Sequence, residues 1–193
     1  GQRRLPFDDD AAADAAGDDS NEPATIPHPA LQPPDTSHWT ADEWFERGCH
    51  LAEDGEIAQA VEAFRAAVIE RPSAAEVHFH LADALYRLGR PEAAIERYYV
   101  AVENDHDFIE AWTQLGCLLV ETGELDAAGE AFQIALDRHP EFPDAHFQLA
   151  QLLERRQQPA DARPHWEAYL RCDSHGPWAD IARQRLASDE SEA

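Results

Sequence analysis

Apolar residues recur along this chain at helical spacing, and the spacing pattern itself returns every 34 residues, in gapless stretches beginning at Ala41, Ala75, Ile109 and Pro143. Within each stretch the fourth residue carries a ring (Trp44, His78, Trp112, His146) and the eighth is small (Gly48, Ala82, Gly116, Ala150). The second half repeats too, with alanine at the twentieth position (Ala60, Ala94, Ala128, Ala162) and an aromatic at the twenty-fourth (Phe64, Tyr98, Phe132, Trp166). Small residues let two helix backbones approach, and the large rings fill the space around that contact. One such helix pair buries too little apolar surface to offset its ordering entropy, so the pattern predicts neighbouring pairs stacked on a continuous core. Trp112 falls in the middle of this stack, and Trp112→Ala is expected to cost about 3 to 5 kcal/mol.

Polar signals mark the helix ends. Thr40 with Glu43, Ser73 with Glu76, and Asp107 with Glu110 read as capping boxes at the starts of first helices. Trp39 and Trp44 flank the first box at staple spacing. Within repeats, Asp54-Gly55, Leu88-Gly89 before Pro91, and Thr122-Gly123 supply a left-handed residue and a restart. The fourth repeat has Arg156-Gln157-Gln158-Pro159 there, without glycine. After Ser174-His175-Gly176-Pro177 one more helix is expected to about Ala187, burying Trp178, Ile181, Ala182 and Leu186 as a cap, with Asp180, Arg183 and Arg185 elsewhere on its surface.

Together with Pro72 and Pro140 at the thirty-second position, the array resembles tetratricopeptide repeats over residues 41–176. The resemblance implies an all-α fold, a right-handed superhelix of four helix-turn-helix repeats (41–74, 75–108, 109–142, 143–176) in a domain spanning 39–176, closed by a capping helix over 177–188. It also implies a concave binding side lined by first helices, with contact residues at the second, fifth, ninth, twelfth and thirteenth positions. Repeat one places Asp42, Phe45, Cys49, Ala52 and Glu53 there, and repeat two Glu76, Phe79, Asp83, Tyr86 and Arg87. Repeats three and four add Glu110, Thr113, Cys117, Val120 and Glu121, then Asp144, Phe147, Gln151, Glu154 and Arg155. Such an aromatic and acidic groove suits a peptide with apolar anchors and arginine or lysine. Phe45, Phe79 and Phe147 serve equally well as packing between repeats.

Chaperone-binding members of the family clamp a C-terminal carboxylate with lysine and asparagine at set positions. Here those positions hold Phe45, Cys49, His80, Glu110 and Gln114, and no basic clamp residue among them. A chaperone C-terminal carboxylate is therefore not the expected ligand. A narrower resemblance comes from Ala162 to Leu170 with Pro177-Trp178-Ala179-Asp180 and Arg185-Leu186, which is similar to the closing segment of bacterial repeat proteins, some of them following a MerR-type DNA-binding domain. Arg4-Leu5-Pro6-Phe7-Asp8 would then open the linker from that domain. This resemblance implies the effector or oligomerisation half of a transcriptional regulator, with the DNA contacts in sequence not contained in this chain.

Composition narrows the setting. Residues 1–38 combine aspartate runs with Pro23, Pro27, Pro29, Pro33 and Pro34, which predicts a disordered linker or tail, as does the polar end 189–193. Leu5, Pro6 and Phe7 form a small apolar island within it, read either as a docking element or as a chance triplet. The chain has no methionine, so Gly1 is expected to be a processing or truncation point with sequence upstream. All 15 basic residues are arginine, against 39 acidic ones, and residues 39–193 carry a net charge of −18. That charge disfavours direct contact with nucleic-acid phosphate and, read blandly, maintains solubility. No apolar run is long enough for a membrane span, and Cys49, Cys117 and Cys172 lack metal spacing, so a cytoplasmic protein with reduced thiols is expected. No catalytic constellation, cofactor motif or metal site emerges. Three readings follow: a non-catalytic scaffold binding a protein or peptide in its groove, with oligomerisation compatible; a regulator's effector half; and a metal or redox sensor using Cys49, His80 and Cys117.

Overall fold

A computed structural model of the protein describes residues 36, 38–176 and 178–192, the last four by their backbone alone. Apart from residues 36 and 38, the expected linker, with its Leu5-Pro6-Phe7 island and the Arg4 to Asp8 run, lies outside the described residues. Among the described residues nine α-helices follow one another: α1 (Ala41–Glu53), α2 (Ile57–Glu70), α3 (Ala75–Arg87), α4 (Pro91–Asn104), α5 (Ile109–Thr122), α6 (Leu125–Arg138), α7 (Pro143–Arg155), α8 (Pro159–Cys172) and α9 (Ala179–Glu192). Each helix packs on its neighbours in sequence, and the eight repeat helices form an all-α superhelix of four pairs.

Of the three expected capping boxes, the first forms. Glu43 N–H donates to Thr40 Oγ1 at 3.3 Å and Thr40 N–H to Glu43 Oε2 at 2.7 Å, while Trp39 and Trp44 pack with ring centroids 4.7 Å apart. The boxes expected at Ser73 and Asp107 do not form, because α3 and α5 start one residue later, with Ala74 and Phe108 as N-caps. Thr40 stands one full period before Ala74, so the other two candidates were a residue out of register with it. Asp107 instead pairs with Arg138 at 3.1 Å.

The turns inside the repeats are the same in all four. The N–H groups of Glu56, Arg90, Glu124 and Gln158 donate to the carbonyls of Leu51, Leu85, Leu119 and Leu153, at 2.8, 3.0, 2.8 and 2.9 Å. This is the long hydrogen bond of a Schellman motif, and it requires a left-handed residue just before the donor. Gly55, Gly89 and Gly123 provide it, and in repeat four Gln157 adopts φ 60° to do so. A side chain in that region costs about 1 kcal/mol more than glycine does after glycine's own entropy is counted. Gln157→Gly is therefore expected to stabilise the fourth repeat by about that amount, read as a raised denaturation midpoint with unchanged slope; a lowered midpoint would contradict it.

Stacking rests on a core running through the first three repeats, where Ala60, Ala82, Ala94, Ala128 and Phe132 are fully buried. At the fourth position of successive repeats a ring N–H reaches the preceding loop. His78 Nε2 lies 2.8 Å from the Pro72 carbonyl, Trp112 Nε1 donates to the His106 carbonyl at 3.1 Å, and His146 Nε2 lies 2.9 Å from the Pro140 carbonyl. A carbonyl only accepts, so each histidine carries its proton on Nε2. Histidine and tryptophan alternate here because both present a ring N–H. His146 Nδ1 then accepts from His165 Nδ1, 3.0 Å away. Trp112 is only partly buried, so truncating it forfeits less than the about 3 to 5 kcal/mol of a buried aromatic.

The capping segment covers the last pair. Trp178 stacks on Phe147 at 4.5 Å, Ala179 and Ala182 are buried, and Leu186 packs against the same cluster. Ile181, expected on this stripe, is 37% exposed, and Ala179 takes the inward place. The helix runs to Glu192, past the expected end near Ala187 and over most of the stretch read as a disordered tail. Ser188 Oγ, bonding the Gln184 carbonyl at 2.9 Å, continues the helical pattern there.

Candidate functional site

Two adjoining hollows open along the first helices of repeats one to three. The larger, about 400 Å3, is lined by Cys49, Ala52 and Glu53 of α1, by His80, Asp83, Ala84, Tyr86 and Arg87 of α3, and by Gln114 of α5, with the rings of Phe64 and Tyr98 behind them. The smaller, about 170 Å3, lies between Tyr86 and Tyr98 and the α5 residues Gln114, Cys117, Leu118 and Glu121. Eight of the residues expected to make contacts, Cys49, Ala52, Glu53, Asp83, Tyr86, Arg87, Cys117 and Glu121, therefore line one hollow or the other.

Their electrostatics follow from what surrounds them. Asp83 accepts a short hydrogen bond from the Tyr98 hydroxyl. Burial pushes its carboxyl above the usual carboxylate range, opposed by the Tyr98 bond and more weakly by His80 and Arg87. Burial likewise raises Tyr98. The Tyr86 hydroxyl donates to Glu121 at 2.9 Å, which holds its proton more tightly and joins repeat two to repeat three. Arg87 Nη2 donates to the Ala52 carbonyl at 3.0 Å, and Arg155 Nη1 to the Val120 carbonyl at 3.4 Å. These two arginines thus tie α3 to the end of α1 and α7 to the end of α5.

The outer expected residues divide further. Asp42, Glu76, Glu110, Asp144 and Gln151 are exposed, Asp42 being paired with Arg71 at 2.7 Å. Phe45 and Phe79 are half-buried between repeats: Phe45 meets His80 at 5.1 Å and Phe64 at 5.9 Å, and Phe79 meets Phe108 at 4.9 Å. Thr113 and Phe147 are corrections, since only 4% and 3% of their surface is exposed and neither has an accessible face for a ligand. Thr113 turns its hydroxyl back to the Ile109 carbonyl at 2.9 Å, while Phe147 lies beneath Trp178. Glu154 is also committed, accepting Trp166 Nε1–H at 2.8 Å and meeting Arg185 Nε at 3.3 Å.

His80 and Gln114 line the larger hollow without having been among the expected contact positions. Both hold the sixth position of their repeats, so the period could have found them. The cysteine and histidine trio is not assembled: Cys49 and His80 line the larger hollow and Cys117 the smaller. Among the described residues no three histidine, cysteine, aspartate or glutamate side chains gather as metal ligands. Burial raises the Cys49 thiol and pushes Cys117 up to about 11, so both stay protonated at neutral pH, the form that neither attacks nor ligates readily. All three cysteines are free thiols.

A family profile described as Tetratricopeptide repeat matches residues 45–107 and 113–177. No functionally curated protein matches the chain. Among solved structures, pilF of Pseudomonas aeruginosa is 24% identical with a TM-score of 0.70, over 79% of this chain and 69% of that one. MamA is 21% identical with a TM-score of 0.66, over 69% and 78%. The first such domain of Spaghetti (RPAP3), solved with the HSP90 peptide SRMEEVD, is 18% identical with a TM-score of 0.59, over 61% and 94%. At these identities the likeness concerns the fold.

Proposed function

Because this chain belongs to the tetratricopeptide repeat family, we propose that it is a non-catalytic scaffold that binds a protein segment, extended or helical, along its first helices. The observation that carries this reading is the pair of adjoining hollows, where Glu53, Asp83 and Glu121 stand around the exposed ring of Tyr86. Carboxylates set around an aromatic face select a segment that combines basic and apolar side chains. The same ground argues against a free C-terminal carboxylate as ligand. At the family's clamp positions His80 is packed among the rings of Phe45, Phe64 and Phe79, and Glu110 adds negative charge.

Among the described residues no helix is long and apolar enough to cross a membrane, and the reduced thiols fit a cytoplasmic setting. The regulator reading gains no support from the described residues, and the groove reading does not depend on it.

Selection of peptides from a random library on the intact chain tests the proposal. Recovered peptides are expected to be rich in arginine, lysine and aromatic residues and to lose at least about tenfold in affinity to Glu121→Arg, which inverts a charge on an exposed turn of α5. SRMEEVD serves as the control and is expected not to bind. Peptides insensitive to Glu121→Arg, or tight capture of SRMEEVD, would overturn the reading.

A further inference from the structure

We propose that the larger hollow is an anchor subsite for a single cationic side chain, arginine or lysine, whose charge meets Asp83 and Glu53 while its methylene stem lies along Cys49 and Ala52. This rests on the groove reading above and assigns a specific role to one part of it.

The argument begins with Asp83. It is a half-buried carboxylate that accepts from the Tyr98 hydroxyl on Oδ1, and His80 and Arg87 attract it only weakly, without an arginine ion pair among the described residues. Arg87, which lines the same space, is bound to the Ala52 carbonyl at 3.0 Å and thereby fixed at the end of α1. Glu53 stands exposed beside it on α1. Two carboxylates therefore share a hollow with one guanidinium, and the site is short of one positive charge.

Burying a carboxylate beside apolar atoms is costly unless it is paired and hydrogen-bonded. Burial accordingly holds the Asp83 carboxyl above its usual range, and an incoming cation would reverse that shift and gain from the low dielectric. The remaining walls suit the rest of such a side chain. Cys49 and Ala52 are only partly buried and leave apolar surface facing the hollow, which the stem of arginine or lysine covers while its head stays with the carboxylates. A volume of about 400 Å3 accommodates the side chain together with a turn of its backbone.

The test uses the full chain and a ligand smaller than any peptide. Amide chemical shifts would be followed by NMR as Nα-acetyl-arginine amide, Nα-acetyl-lysine amide and Nα-acetyl-citrulline amide are added at matched ionic strength. Citrulline keeps the shape of arginine and removes its charge. Saturable shifts at Glu53, Asp83 and Arg87 are expected with arginine or lysine, and binding at least about tenfold weaker with citrulline. Asp83→Asn, which still accepts from Tyr98 and so should keep its fold, is expected to weaken the cation by the same factor. Equal binding of citrulline, or no effect of Asp83→Asn, would overturn the anchor. Library peptides that bind the groove without needing arginine or lysine would sink the anchor and leave the groove reading standing. A library that yields no groove binder would sink the groove reading, and the amino-acid titration would still judge the hollow.

Discussion

Trp166→Ala is expected to remove about 3 to 5 kcal/mol of stability, and to do so from the C-terminal end of the array inward. Among the described residues Trp166 is the largest fully buried side chain, 1% exposed, and it meets Phe147 edge-on at 5.3 Å. Its truncation leaves a void that the rigid helices around it fill only in part. The indole N–H also holds Glu154, whose other oxygen meets Arg185 on α9, so the loss reaches the last helix through that carboxylate. Arrays of this kind unfold by nearest-neighbour coupling. Hydrogen exchange should therefore show α7, α8 and α9 losing protection while α3 and α4 keep theirs. Trp166→Phe separates the two contributions, retaining most of the ring while removing the donor. Uniform loss of protection across all four repeats, or a melt unchanged from the parent, would refute this account.

Gly116→Ala is the second large effect, and its sign is opposite to what helix propensity suggests. In isolation alanine favours a helix by about 1 kcal/mol over glycine. At Gly116, however, an added Cβ would lie 2.4 Å from Phe132 Cε1, and Phe132 is fully buried. Overpacking of this kind costs about 1 to 3 kcal/mol and exceeds the propensity gain where the ring cannot move. A net loss in denaturation free energy is expected, with recovery in the double variant Gly116→Ala, Phe132→Leu, whose smaller side chain makes room for the methyl. The same contact recurs at Gly48, where a Cβ would lie 2.5 Å from Phe64 Cε1. A stabilised Gly116→Ala protein would show that the ring shifts at little cost.

Much of this could be read from the residues, because the 34-residue period tracks the angle at which each side chain leaves its helix. Small eighth residues and large twenty-fourth ones announced the close helix contacts, and Gly55, Gly89 and Gly123 announced the turns. What escaped depends on neighbours that spacing does not describe. Gln157 adopts a backbone its own type disfavours because Gln158 N–H and the Leu153 carbonyl close the turn around it at 2.9 Å. Ser73 and Asp107 look like caps in isolation and miss by one residue. Phe147 holds the same fifth position as Phe45 and Phe79, yet it is covered because Trp178 comes back over it. In the candidate site the carboxylates of Glu53, Asp83 and Glu121 were legible from the period, whereas the commitments of Arg87, Arg155 and Glu154 to carbonyl and ring partners were not.

The carbonyl ties made by Arg87 and Arg155 set a rule for cutting and splicing this array. They occur between repeats one and two and between three and four, whereas repeats two and three are joined by Tyr86 and Glu121. The thirteenth position accordingly alternates Glu53, Arg87, Glu121, Arg155, in step with tryptophan and histidine at the fourth and glycine and alanine at the eighth. Excising repeat two alone would bring Glu53 and Glu121 into adjacent repeats and remove the arginine that closes the first helix. Excising repeats two and three together would set Arg155 where Arg87 had been. The interchangeable module is thus a pair of repeats, and shortened or extended versions of the protein should be assembled in steps of twice 34 residues.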